Sequence, residues 1–320
     1  MAESRMQAPL RAPSLERLLL NINSVVIGKE EAALRTVVTL ISGGHLLIED
    51  VPGIGKTLLG LALARSIDAS FHRIQFTNDL LPSDILGLNL FNQKTQTFEF
   101  RPGPIFSHVV LADEINRSTP KTQSALLEAM SELQVSIEGK THSLSEPFFV
   151  IATQNPIEYH GTFPLPEAQL DRFLTRVQLG YPSEGDEKAI LKEGDLMRRV
   201  KTLKPVLSCD EVVELQRRVE DVRISEPLLD YAVAIARLTR CAPHVKLGLS
   251  PRGTLALCRA AKALALIHGR DYCVPDDLKR IAVPVIAHRL LFDTGLYGLA
   301  RVRESEAAVE AVLGSLPAPA

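Results

Sequence analysis

The chain has 320 residues, of which 46% are hydrophobic, and a formal net charge of −2. This composition excludes an intrinsically disordered chain, and the balanced charge gives no global positive field that would draw the protein to nucleic acid or to an anionic membrane. No apolar stretch approaches the ~20 residues of a membrane span, and the N-terminus lacks the pattern of a signal sequence, so we expect a cytoplasmic protein with no membrane span.

Strands and helices alternate through the first part of the chain. Core strands are predicted over residues 45–48, 71–76, 108–112, 148–153 and 176–179, helices over 14–21, 32–41, 58–66, 120–132 and 167–173, and hairpins over 88–100 and 134–144. This alternation predicts a parallel sheet covered by helices on both faces.

The strand signals stop near Tyr181. Helical periods follow over residues 186–200, 209–220, 226–240, 252–269 and 275–290. We therefore place a domain boundary near residue 182, with an α/β core over 1–182 and a helical domain over 183–320.

A glycine-bearing turn joins the first core strand to the next helix. In the general phosphate-loop pattern G-x-x-x-x-G-K-[ST], Lys56 reaches the β and γ phosphates and the Thr57 hydroxyl binds Mg2+, so we predict ATP and Mg2+ as cofactors. The pattern requires glycine at position 50, where this chain has Asp50. The alternative is a turn that merely tolerates glycines. The residues predicted to surround the phosphates are Pro52, Gly53, Ile54, Gly55, Lys56, Thr57 and Leu58.

Two carboxylates, Asp113 and Glu114, follow the third core strand directly. The carboxyl ends of parallel strands meet at the sheet edge that carries the phosphate loop. Asp113 is therefore predicted to hold Mg2+ and Glu114 to polarise the water that attacks the γ phosphate; the alternative is a helix cap. Asn155 ends the next strand at the same edge and is predicted to position that water, although a turn-forming Asn before Pro156 is the simpler explanation.

Arginines are the remaining candidates for contact with phosphate. Arg252 opens a helix of the second domain, where a cation is mildly disfavoured, so we predict an anionic partner such as a γ phosphate reached across the domain cleft; a surface arginine with no role is the alternative. Arg172 precedes the fifth strand and is either part of an internal ion pair or an arginine finger for a neighbouring subunit's ATP. Arg117 and Arg176 are rival fingers.

Together these motifs resemble the AAA+ ATPases, and within them the MoxR family. The segments 49–57, 112–117, 152–156 and 165–173 are similar to its signature stretches, including the missing first glycine. The predicted site residues fall where that family keeps its Walker A, Walker B, sensor 1, arginine finger and sensor 2 residues, namely Lys56 and Thr57, Asp113 and Glu114, Asn155, Arg172 and Arg252.

The resemblance implies a five-stranded P-loop core in the strand order 5-1-4-3-2, a C-terminal all-α lid domain, and an adenine pocket lined by Val26 and Ile27. It also implies a hexameric ring that acts as a chaperone-like remodelling or maturation ATPase on a protein client, in assembly or metal insertion, beside a partner with a von Willebrand factor A domain.

Two other functions stay open at this point. A nucleic-acid motor of the same fold is one, but the hairpin at 134–144 offers only Lys140 and His142 against Glu138, which is a poor surface for phosphates. A nucleotide switch without turnover is the other, and the presence of Lys56 and Glu114 argues against it. The four cysteines show no metal-ligand spacing and the eight histidines do not cluster, so no further metal site is predicted.

Overall fold

A computed structural model of the chain describes residues 13–156, 161–293 and 298–319. The helices are α1 (Pro13–Asn23), α2 (Glu30–Ile41), α3 (Lys56–Ser66), α4 (Pro82–Leu86), α5 (Pro120–Glu132), α6 (Glu167–Leu170), α7 (Glu184–Glu193), α8 (Leu196–Val200), α9 (Cys209–Asp221), α10 (Glu226–Cys241), α11 (Pro251–Ile267), α12 (Pro275–Ile286) and α13 (Gly298–Ser315). None of these described helices is long and apolar enough to cross a membrane.

The strands are β1 (Leu46–Glu49), β2 (Phe71–Gln75), β3 (Gly87–Asn92), β4 (Thr97–Pro102), β5 (Val109–Asp113), β6 (Gln134–Ile137), β7 (Lys140–Ser143), β8 (Phe149–Gln154), β9 (Thr175–Val177), β10 (Val245–Leu247) and β11 (Leu291–Phe292). Five of them form one parallel sheet in the order β2-β5-β8-β1-β9. Numbered as core strands, this is the expected order 5-1-4-3-2, so the predicted fold class is confirmed.

The sheet is covered on both faces because its central strands are apolar throughout. In β1, Leu46 and Ile48 join one buried cluster and Leu47 joins the other, as the two-residue period of a strand requires. In β5 and β8, the same alternation assigns Val109, Leu111, Phe149 and Ile151 to the first cluster and Val110, Ala112, Val150 and Ala152 to the second. Both faces of these three strands therefore exclude water, and their polar residues lie at the carboxyl ends.

Both predicted hairpins form, since β3 pairs with β4 and β6 with β7 in antiparallel register. They contact each other: the Phe100 ring stacks on His142, with centroids 4.1 Å apart, and Asn89 Nδ2 donates to Glu138 Oε2 at 2.7 Å. The two hairpins thus form a joint surface beside the core.

Beyond residue 182 the structure is mainly helical. The predicted helix over 186–200 is two helices, α7 and α8, because Gly194 interrupts it with a positive φ of +71°, a conformation that glycine adopts readily. The helix α13 and the short β10–β11 pair were not predicted. The first apolar cluster continues from the sheet into α9 to α12, so the division of the chain near residue 182 stays a proposal.

Candidate nucleotide site

The turn between β1 and α3 is shaped by two glycines. Gly53 and Gly55 have φ values of +84° and +98°, in the left-handed region that favours glycine, and a Cβ built on either would meet no atom within 4 Å. The requirement for glycine is therefore conformational and not a matter of crowding. The turn leads directly into α3 at Lys56, so its backbone N–H groups lie next to the positive end of that helix.

Asp50, which replaces the first glycine of the general pattern, anchors the turn. Its Oδ2 accepts hydrogen bonds from the N–H groups of Leu179 and Gly180, both at 2.7 Å, and its Oδ1 accepts one from Val51 at 2.9 Å. The carboxylate therefore ties the start of the turn to the chain that follows β9. Asp50, where the general pattern has glycine, therefore has a structural role in this loop.

Lys56 points back into the turn. Its Nζ donates to the Asp50 carbonyl oxygen at 2.5 Å. Burial lowers the pKa of this ammonium, and the negative charges of Asp50, Asp113 and Glu114 oppose that shift. An anion bound at the turn would restore electrostatic stabilisation that Lys56 loses by leaving water.

Asp113 and Glu114 end β5 and are held by side chains of neighbouring strands. Thr153 Oγ1 donates to Asp113 Oδ1 at 2.6 Å, and Arg73 Nη2 donates to Asp113 Oδ2 at 2.5 Å. Gln75 Nε2 donates to Glu114 Oε2 at 2.9 Å. Both carboxylates are therefore oriented before any ligand binds.

The backbone of Glu114 is also constrained. Its φ is +57°, a left-handed conformation that is uncommon outside glycine, and its N–H donates to Thr153 Oγ1 at 2.9 Å. The carboxylate also forms an ion pair with Arg117, with Oε2 and Nε 3.1 Å apart. Such strained conformations concentrate at functional sites, where surrounding contacts maintain them.

These groups line one cavity of about 390 Å³. Its lining comes from the turn, from the ends of β2, β5 and β8, and from α8, and consists of Pro52, Gly53, Gly55, Lys56, Thr57, Leu58, Arg73, Gln75, Asp113, Glu114, Asn155 and Met197. The structure thus brings together most of the residues proposed for phosphate, metal and water. Sequence reasoning missed Arg73, Gln75 and Met197; polar residues at the carboxyl end of β2 were the available signal for the first two.

Three residues expected near the nucleotide are not part of this lining. Ile54 belongs to the turn and packs against the first apolar cluster, which also contains the buried Val26. Ile27 is half-buried close by. An adenine-contacting role for Val26 and Ile27 stays a prediction, and the cavity offers apolar surface from Leu58 and Met197.

Arg252 is not part of the lining that contains Lys56, and its contact with a γ phosphate stays a prediction. Arg252 lines a second cavity of about 470 Å³ together with Arg172, Arg259 and Arg289. This cavity also contains residues 42–45 and Leu174, which precede β1 and β9, so it lies at the amino ends of the strands. The four residues of β1, about 13 Å at ~3.3 Å per residue, separate it from the phosphate turn.

The local sequence explains why Arg252 lies there. Ser250 Oγ accepts from the Gly253 N–H at 3.1 Å and caps α11, with Pro251 in its first turn. Gly253 then allows close packing, because a Cβ at that position would lie 2.4 Å from the Leu249 side chain and 3.2 Å from Arg289. The first turn of α11 is therefore fixed against Arg289, which follows α12.

Arg289 supports this second cavity. It is buried, and it donates to Asp171 Oδ1 and the Phe173 carbonyl oxygen, both at 2.7 Å. Burial lowers its pKa, Asp171 opposes that shift, and the positive charge of Arg252 adds to it. Arg172 uses Nη1 to donate to the Leu127 carbonyl oxygen at 2.9 Å and to Ser131 Oγ.

The rival fingers are placed differently. The Arg176 side chain is 4% exposed and is paired with Glu49 and Glu306, whereas Arg117 is paired with Glu114 of its own chain. Among the three candidates, Arg172 is the one that lines the arginine-rich cavity.

The fold and the cavity are those of the AAA+ class of P-loop ATPases. Residues 45–175 match the model of the ATPase family associated with various cellular activities, and residues 237–310 match the AAA lid domain. The uncharacterized protein YeaC of Bacillus subtilis is 50% identical, over 93% of this chain and 95% of its own length. The Chaperone MoxR1 of Mycobacterium tuberculosis is 40% identical, over 87% of this chain and 76% of its own length. The chain belongs to the MoxR family of AAA+ ATPases.

A solved structure agrees with this assignment. The crystal structure of a Cytophaga hutchinsonii protein assigned as an ATPase superposes with a TM-score of 0.83 at 35% identity, covering 97% of this chain and 96% of that one. Its match includes the helical lid as well as the core, so the two-part architecture extends to a relative of known structure.

Proposed function

We propose that this protein hydrolyses Mg-ATP and uses the energy to remodel a protein partner. The observation that carries the proposal is the 390 Å³ cavity, in which Lys56, Thr57, Asp113, Glu114 and Asn155 meet although they come from three separate segments of the chain. Family membership supports the same chemistry.

Phosphate binding is assigned to the turn. The N–H groups around Gly53 and Gly55 and the start of α3 supply partial positive charge, and Lys56 supplies a full one beside the β and γ phosphates. Thr57 and Asp113 are the residues proposed to hold Mg2+, and they fit this ion because both offer oxygen ligands in the same cavity. Bound Mg2+ would neutralise charge that develops on the phosphates.

Water activation is assigned to Glu114, with Asn155 as the positioning amide. Glu114 accepts a hydrogen bond from Gln75 and forms an ion pair with Arg117, and these two contacts hold its carboxylate at the cavity. Asn155 is nearly buried at the end of β8, so its side chain has little freedom. These two groups complete the constellation needed for in-line attack on a γ phosphate.

The arginine-rich cavity is proposed to receive an anion from a second copy of the chain. Its charged lining residues are four arginines and Asp171, a surplus of three positive charges. Like charges gathered around one cavity repel each other unless an anion enters, and the triphosphate of a neighbour's ATP has the required charge. We assign Arg172 as the trans-acting finger and Arg252 as a second trans contact, in a ring of six subunits.

A protein client is the proposed object of this activity. The relative named Chaperone MoxR1 supports a chaperone role, and we propose assembly or metal and cofactor insertion beside a partner with a von Willebrand factor A domain. A nucleic-acid motor has less support, because in the hairpin β6–β7 His142 is stacked on Phe100 and Glu138 is bound by Asn89, which leaves Lys140 as the cation for phosphates.

Phosphate release by the parent and by Glu114→Gln tests the proposal and separates it from a nucleotide switch. The amide cannot accept a proton, so the variant should bind ATP with parental affinity and hydrolyse it about 100- to 10,000-fold more slowly. Glu138→Gln, on the exposed hairpin, is the matched control and should hydrolyse at the parental rate. Absence of turnover in the parent would favour a switch, and parental turnover by Glu114→Gln would remove Glu114 from the mechanism.

A further inference from the structure

A buried charge network joins the C-terminal helix to the strand ends that form the nucleotide site. Arg176, in β9, places Nη1 3.3 Å from Glu49 Oε2 and Nη2 2.7 Å from Glu306 Oε1 on α13. The other oxygen of Glu49, Oε1, accepts from Gln154 Nε2. We call Glu49, Gln154, Arg176 and Glu306 the strand-end network.

The position of each member links the network to the proposed chemistry. Glu49 and Gln154 are direct partners in the parallel register of β1 and β8. The residue after Glu49 is Asp50, whose carbonyl oxygen holds Lys56, and the residue after Gln154 is Asn155, which lines the nucleotide cavity. A shift of either strand end would therefore move a group that is proposed to contact ATP or the attacking water.

The members of this network differ in how deeply they are buried. The Arg176 side chain is 4% exposed and that of Glu49 is 13% exposed, so both depend on each other for charge compensation. Glu306 is 33% exposed and is the member that the core does not enclose. A cavity of about 120 Å³ beside the network is lined by strand-end residues and by α13, including Glu49, Gln154, Asn155, Arg176, Arg301 and Ser305.

We propose that Glu306 and Arg176 are positioning residues for hydrolysis: docking of α13 through Glu306 orients Arg176, which holds Glu49 and Gln154 and thereby sets the placement of Asn155. This inference rests on the proposed ATPase function and on the role of Asn155 within it. On this inference, α13 controls the rate of turnover. It acts through the strand ends and does not contact the nucleotide.

Glu306→Gln is the informative change, because it weakens the ion pair at the exposed end of the network and leaves Arg176 paired with Glu49. Arg176→Ala would leave Glu49 buried without its cation and endanger folding. We expect Glu306→Gln to bind ATP with parental affinity and to hydrolyse it about tenfold more slowly, short of the ~100-fold that a 1 Å misplacement can cost. Glu310→Gln, one turn further along α13 and exposed, is the matched control and should keep the parental rate.

A double-mutant cycle tests whether Glu306 acts through Asn155. Turnover and ATP affinity are measured for the parent, Glu306→Gln, Asn155→Ala and the double variant, with thermal melting of each to confirm folding. If the inference is right, Glu306→Gln slows the parent but adds little to the defect of Asn155→Ala. Equal slowing in both backgrounds would contradict positioning through Asn155.

The cycle also separates this inference from the proposed function. Parental turnover by Glu306→Gln, with Asn155→Ala impaired, would overturn the inference alone. Parental turnover by Asn155→Ala would overturn the proposed role of Asn155 and the inference with it. A fall in ATP affinity equal to the fall in rate would show that α13 supports binding, and would likewise overturn control of hydrolysis.

Discussion

Lys56 is the residue on which phosphate binding depends most directly. It is a partly buried cation with a lowered pKa, held by a backbone carbonyl at the centre of the turn. Lys56→Ala removes the charge that faces the β and γ phosphates, so we expect ATP binding to fall below detection in isothermal titration calorimetry. Lys188→Ala, at an exposed site on α7, serves as the control. Parental affinity in Lys56→Ala would show that ATP binds elsewhere.

The sequence predicts some site residues better than others, for a physical reason. Lys56, Thr57, Asp113 and Glu114 lie in contiguous motifs whose spacing alone indicates their chemistry. Gln75 meets Glu114 only because β2 pairs with β5, and the pairing of distant strands is not visible in local spacing. The left-handed backbone of Glu114 is likewise set by Thr153 on β8, 39 residues away.

His45 also depends on contacts between distant segments, in this case between whole secondary-structure elements. It precedes β1, accepts a hydrogen bond from the Val150 N–H of β8 at Nδ1, and uses Nε2 to bond the Met130 carbonyl oxygen of α5. This pattern requires the neutral ring, and complete burial lowers the pKa of His45 to about 4. One imidazole thus links the starts of two strands to the helix that packs on them.

The lowered pKa predicts a loss of stability in acid. Between the unfolded pKa near 6.5 and the folded pKa of about 4, the unfolded chain binds the extra proton, so stability is full above pH 6.5 and falls as the pH decreases through this window. From pH 7 to pH 5, His45 should contribute a loss of about 2 kcal/mol in the free energy of unfolding. Urea denaturation at both pH values measures it.

The control for this prediction is a variant without the imidazole. His45→Gln should be less stable than the parent at pH 7, because it alters both hydrogen bonds, yet should lose about 2 kcal/mol less on acidification. The same replacement at the exposed His72 is the matched control. Equal pH dependence of the parent and His45→Gln would show that this ring does not titrate on unfolding.

Elements with a clear apolar pattern could be predicted from the sequence, and those without one could not. The five core strands and both hairpins were predicted because short apolar or β-prone runs are bounded by turn residues. The helix α13 was missed because its buried residues, Val302, Ser305, Val309 and Val312, are small or polar and lie among Glu, Arg and Ala. Its place is set by tertiary contacts such as the Glu306 pair, which local sequence does not encode.

At the scale of the whole molecule, the nucleotide cavity and the arginine-rich cavity lie at opposite ends of the parallel strands. We therefore propose that Arg172 and Arg252 serve the ATP of a neighbouring subunit and not that of their own chain. On this proposal, the surface around one cavity meets the different surface around the other in a head-to-tail interface, the type of interface from which rings are built. We therefore expect hydrolysis to require a junction between two subunits.

Mixing two inactive variants tests whether Arg172 serves the ATP of a neighbouring subunit. Arg172→Ala retains a sound nucleotide cavity but offers no finger, and Lys56→Ala offers the finger but has no usable cavity, so each alone should lose about 1,000-fold or more in turnover. In rings assembled from equal amounts, about a quarter of the junctions pair a sound cavity with a sound finger. We predict that phosphate release partly returns on mixing, with native mass spectrometry to confirm that subunits have mixed. No return of activity at any ratio in mixed rings would contradict the account and place Arg172 outside the shared site.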